Sequence, residues 1–158
     1  NPRTDNLDLL VGDWVADKCW GIPRFRNVEF IVPAPDEDGN LAITLTAADN
    51  TTILGFTHGH QFERGSGGGL ALQRAKNWAK GQVFGRRHDP DVLTVGHYHH
   101  DGLLQVGHRY LQTCPPMDVG SVYYEEATGE ASQAAVLRFV AGGPRPMSER
   151  ALIYPSDR

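Results

Sequence analysis

The sequence predicts a single α/β domain over residues 1–158, built as a parallel βαβ unit followed by mostly antiparallel strands. Two β-rich apolar runs, Thr51–Thr57 and Val92–Val95, flank a helical stripe at Leu72, Ala75, Trp78 and Ala79. Strand, helix, strand in that order is the pattern of parallel neighbours joined by a right-handed crossover. Beyond His100 the chain changes character. Leu103–Val106, Arg109–Cys114, Val119–Tyr124, Val136–Val140 and Arg150–Tyr154 are short β-prone segments separated by Gly and Pro turns, as in antiparallel structure. At 158 residues the chain is long enough for one real core.

Taken in order, Leu7, Leu10, Val11, Trp14 and Val15 recur at the spacing of one helical face, with Thr4 and Asp5 placed to cap the first turn. This predicts a helix from Asp5 to Lys18. Val28–Val32 reads as a strand, PAPDEDGN as a turn, and Leu41, Ile43 and Leu45 as the alternating face of a second strand, so the pair is expected as a hairpin. Thr51–Thr57 ends at His58-Gly59-His60, and a glycine loop, Gly65–Gly69, follows it. Val92–Val95 ends at Gly96-His97. Trp14, Trp20 and Trp78 read as core or rim aromatics.

Charge and cysteine content exclude several classes. A formal charge of -4, spread along the chain, is no electrostatic footprint for nucleic acid. Cys19 and Cys114, in a chain without a signal peptide, read as free thiols of a reducing compartment, so a cytoplasmic location is expected. No apolar run approaches the roughly 20 residues that cross a bilayer, so no membrane partner is expected. There is no G-x-S-x-G elbow and neither cysteine has a nucleophile's context. GSGGG lacks the following Lys-Ser/Thr of a phosphate-binding P-loop and reads as a mobile loop, though Arg64 beside it is placed to touch an anion.

Five of the seven histidines, His58, His60, His97, His99 and His100, fall in two short clusters. A lone His-X-His is a weak signal, because an edge strand can carry one harmlessly. Two of them at the carboxyl ends of neighbouring parallel strands are a stronger one, since ligands of open α/β sheets bind in the crevice at those ends. If the backbone stays extended, His97 and His99 project to one side and reach one metal or two adjacent ones, with His58 approaching from the next strand. Imidazole suits zinc, iron and nickel, and manganese in company with carboxylates. A cupin site would need a Glu several residues on, where Leu103 and Leu104 stand. His88 and His108 read as structural histidines, in a turn and mid-strand.

Thr57-His58-Gly59-His60 and Val95-Gly96-His97-Tyr98-His99 resemble the H-G-H and G-H-x-H metal motifs of the calcineurin-like metallophosphoesterases. Gly120-Ser121 is similar to the Gly-Ser that opens a late strand in that family, and HGHQF before a glycine-rich loop resembles its phage-encoded members. The resemblance covers roughly residues 1–140 and implies a metallophosphoesterase-type α/β sandwich. It also implies a centre of two divalent transition metals, manganese first, with zinc, iron or nickel as the others. In such enzymes the paired metals hold the phosphate oxygens, activate water for in-line attack and neutralise developing charge. By this resemblance His58 and His97 ligate one metal and His99 the other, His60 sits beside the metals as the catalytic or substrate contact, and Arg64 is the substrate-binding candidate. His100 receives no role.

The family's D-x-H, G-D and G-N-H motifs do not stand before the H-G-H element. The one Gly-Asp, Gly12-Asp13, falls inside the expected first helix, and Asn1–Asn6 resembles the segment that follows G-N-H. The resemblance therefore implies a carboxyl-terminal half: either the chain is a fragment, or it needs an amino-terminal half as a partner chain or else self-associates. The substrate class is a phosphoester, with nucleic acid ends among the candidates, in the host cytoplasm if the chain is phage-encoded. The alternative is a non-catalytic module that binds a metal or a protein.

Overall fold

A computed structural model of the chain describes residues 7–29, 31, 41–59, 90–117, 122, 125–126, 129, 131 and 133–155. The expected crossover helix at Leu72–Ala79, the glycine loop, His60, Arg64 and His88 lie outside these residues. The chain forms two compact units, Asn1–Gly39 and Asn40–Arg158.

The first unit holds helix α1, Leu7–Cys19, and a 3-10 turn at Pro23–Phe25. The helix agrees with the sequence reading to within two residues, and Gly12-Asp13 lies inside it as expected. Val28, Glu29 and Ile31 are not in a strand, and Trp14 and Trp20 are 60% and 89% exposed, so neither tryptophan is core. Among the described residues of this unit, the helix and the 3-10 turn supply no second layer to enclose an indole.

The second unit is built on a five-stranded sheet. Its strands are β1 Leu41–Ala47, β2 Asn50–Thr57, β3 Val92–Val95, β4 Gly102–Val106 and β5 Arg109–Thr113, in the order β1-β2-β3-β5-β4. β2, β3 and β5 run parallel, while β1 and β4 pair antiparallel with β2 and β5. The expected hairpin between Val28–Val32 and Leu41–Leu45 is thus corrected: β1 pairs with β2 across the tight turn Ala48-Asp49. The run after His100 is only partly antiparallel, because β5 lies beside β3 in parallel. His108 belongs to the β4–β5 turn and is not mid-strand. Val122, Glu125 and Glu126 are helical, so the expected strand at Val119–Tyr124 does not form at its one described residue.

β3 is buried along nearly its whole length, with Val92, Leu93 and Val95 sealed from solvent. A central parallel strand, covered on both faces, requires that unbroken apolar sequence. A separate hairpin, β6 Val136–Val140 with β7 Ser148–Ile153, lies against the sheet. Met147 packs on Leu54 and Val92, with Phe56, Tyr110 and Phe139 around them.

Asp91 joins the three parallel strands at their amino ends. Its N–H donates to the Ile53 carbonyl (2.8 Å), its Oδ2 accepts the Ile53 N–H (2.8 Å), and its carbonyl accepts the Tyr110 N–H (2.8 Å). Register then carries through to the other end, where Thr57, Val95 and Thr113 stand level. The ladder continues for one more step, Gly96 N–H to Thr57 O (3.1 Å) and Cys114 N–H to Val95 O (2.9 Å). His58, Gly96 and Cys114 therefore begin the three loops on one rim.

Candidate functional site

That level rim brings the two histidine clusters together. His58 follows β2 directly and His97 follows β3 by one glycine. Their rings meet edge to face, with His58 Nε2 and His97 Nδ1 3.0 Å apart and the centroids at 4.8 Å. At that separation one nitrogen carries a proton and the other accepts it.

Small residues make the approach possible. Gly59 has φ +103, and a Cβ there would lie 2.5 Å from Val95 Cγ1. A Cβ at Gly96 would lie 3.3 Å from the His58 carbonyl oxygen. The H-G-H and G-H-x-H glycines are thus the positions where two loops pass backbone against side chain and backbone.

The stretch His97-Tyr98-His99 is not extended, which corrects the geometry expected for it. His97 and His99 have φ of +66 and +52. The Tyr98 N–H donates back to the Gly96 carbonyl at 2.7 Å, closing a three-residue turn with His97 at its apex, the rare positive-φ form of the γ-turn. Left-handed backbone at two non-glycine residues costs on the order of 1–3 kcal/mol each, and it persists only where surrounding contacts over-determine it. Tyr98 supplies one such contact. It is 3% exposed, its ring stands edge-on to His97 and His100, and its hydroxyl lies 3.5 Å from the Gly59 carbonyl. The turn aims His97 at His58, while His99 takes its own direction, half-buried with its Nδ1 enclosed. His100 Nδ1 donates to the Tyr98 carbonyl at 2.8 Å.

The 3.0 Å between the His58 and His97 nitrogens lies within the span of two ligands on one transition metal. Two nitrogens on one metal at about 2.0–2.1 Å, at angles from octahedral to tetrahedral, lie roughly 2.8–3.4 Å apart. Among the described residues no group of three His, Cys, Asp or Glu side chains is arranged to hold a metal, so His99 does not join the pair as a third ligand there. Sequence reasoning found the pair but missed what lies behind it. Asp101 is ion-paired with Arg150 and accepts from Gln112 Nε2 (3.0 Å), and Arg150 Nε donates to Gln112 Oε1 (2.7 Å). The Cys114 thiol, at the same rim, is held above its ordinary value of 9.0 by burial first and by the Asp101 carboxylate second, against the opposing charge of Arg150. Both cysteines are free thiols. Among the described residues no helix is long and apolar enough to cross a membrane.

No family model and no curated protein matches the chain. Solved structures give partial backbone likenesses. A conserved uncharacterized protein from Streptococcus pneumoniae, described as a predicted phosphoesterase, aligns at 18% identity and TM-score 0.43 over 72% of this chain and 51% of that one. A single mutant of Vps29 from Entamoeba histolytica aligns at 13% identity and TM-score 0.48 over 79% of this chain and 66% of that one. A double mutant of the same protein gives 15% and 0.41 over the same shares. The chain spans about half the length of the streptococcal structure and about two thirds of the others. Likenesses of this size assign no family, and the functional reading rests on the side chains.

Proposed function

We propose that His58 and His97 are paired ligands of a divalent transition metal in a phosphoester-hydrolysing centre, with His99 directed to a second metal. The observation that carries this reading is the 3.0 Å separation of His58 Nε2 and His97 Nδ1 at the level carboxyl ends of adjacent parallel strands. Metals so held supply Lewis-acid stabilisation of phosphate oxygens and an activated water. The protein's own part is placement: the ends of β2 and β3 fix both backbones, and the turn at His97 holds its imidazole toward His58. His60 and Arg64 complete the reading as the contacts to substrate. The carboxylate ligands come from an amino-terminal half bearing D-x-H, G-D and G-N-H. A second reading, a non-catalytic metal-binding module, is favoured because, among the described residues, no third His, Cys, Asp or Glu is arranged with the pair to hold a metal.

Metal content by elemental analysis and turnover of bis-p-nitrophenyl phosphate test both. The chain alone is expected to take up manganese or zinc, to lose it with His58→Ala plus His97→Ala, and to be nearly inactive until the amino-terminal half is added. Equal metal content in wild type and double variant overturns the site. Uptake without turnover, even with that half present, selects the module.

A further inference from the structure

The loop Gly96–Asp101 carries two left-handed non-glycine residues, so both of its ends must be held. At its front, the Thr57 carbonyl takes the Gly96 N–H and Tyr98 is buried. At its back, the ion pair of Asp101 with Arg150 reaches from the loop to β7, in a hairpin that adds no strand to the histidine-bearing sheet. Gln112, fully enclosed on β5, locks that pair: it donates to Asp101 Oδ1 at 3.0 Å and accepts from Arg150 Nε at 2.7 Å. The Asp101 and Arg150 side chains are only 27% and 23% exposed, so solvent screens the contact weakly.

We propose that Arg150, acting through Asp101 and Gln112, is a positioning residue that holds the histidine turn in the geometry bringing His97 onto His58. The β6–β7 hairpin is then a clamp on the site and not only a cover for the core. A guanidinium suits this work because Nε and a terminal nitrogen serve two acceptors at once, which an ammonium on a single stem does not. The metal arm of the inference rests on His58 and His97 being ligands; the clamp itself does not.

The experiment compares wild type with Arg150→Met, Asp101→Asn, their combination, and Arg150→Lys. Two readouts are taken in metal-free and cobalt-titrated protein: the imidazole nitrogen resonances of His58 and His97, and the cobalt dissociation constant. Arg150→Met and Asp101→Asn are each expected to erase the coupled nitrogen signature of the two rings while β2–β3 amide resonances stay in place. Each should weaken cobalt binding about tenfold to a hundredfold. The combined variant should lose no more than the worse single one, because the two residues act as one chain, and Arg150→Lys should recover part of the loss. Unchanged ring signals and affinity in a folded Arg150→Met or Asp101→Asn protein overturn the clamp. If Arg150→Met fails to fold, Arg150→Lys and Asp101→Asn carry the test. If wild-type protein binds cobalt no better than His97→Ala, the ligand reading fails and the ring resonances alone decide the clamp.

Discussion

Cys114 stands on the same rim as the histidines, with its thiol held protonated by burial and by Asp101. Its folded-state value lies above the unfolded one, so its contribution to stability is complete below the ordinary 9.0 and is lost as pH rises beyond it. Chemical denaturation followed from pH 8 to 11 should show wild type losing more stability on the alkaline side than Cys114→Ala. Parallel curves would discard this assignment. At this scale the sequence disclosed His58 and His97, because the motif residues sit at strand ends. It concealed Asp101 and Arg150, whose meeting depends on a hairpin 49 positions further on. It also concealed the turn at His97, because a φ of +66 at a non-glycine residue has no signature in composition.

Strands were the most readable elements. β2, β3, β4, β5, β6 and β7 follow their β-branched and apolar runs closely, and β3 is bounded as its VLTV run predicted. Partners were less readable. The turn between β1 and β2 is Ala48-Asp49, with Ala48 at φ +51, and lacks the glycine that would have marked a hairpin. Asp91 shows how the element scale is tied together, since its main chain and side chain serve β2 and β5 at once. Asp91→Ala removes the acceptor for the Ile53 N–H and should cost about 1.5–3 kcal/mol in urea unfolding. It should leave metal affinity unchanged, because it acts at the far end of β3, about 13 Å from the rim by strand rise. A matching loss of affinity would mean that the two ends are not independent.

Across the whole second unit, the sheet order β1-β2-β3-β5-β4 joins two local hairpins through one strand of four residues. β1 with β2, and β4 with β5, each close over a turn of two residues, whereas β3 must meet β2 across the 38-residue separation seen between Ile53 and Asp91. Closing that loop costs chain entropy before any contact repays it. Amide exchange should therefore find Val92–Val95 opening only with global unfolding, while the Ala48-Asp49 and Gly107-His108 turns exchange through local fraying. Protection at β3 no greater than at those turns would contradict this ranking of local stability. Because His97 follows the central strand β3 and His58 follows β2 of an outer hairpin, the two imidazoles are strangers until the long-range β2–β3 pairing is made. Their encounter requires the β2–β3 pairing, so any metal that needs both of them binds only where that pairing exists.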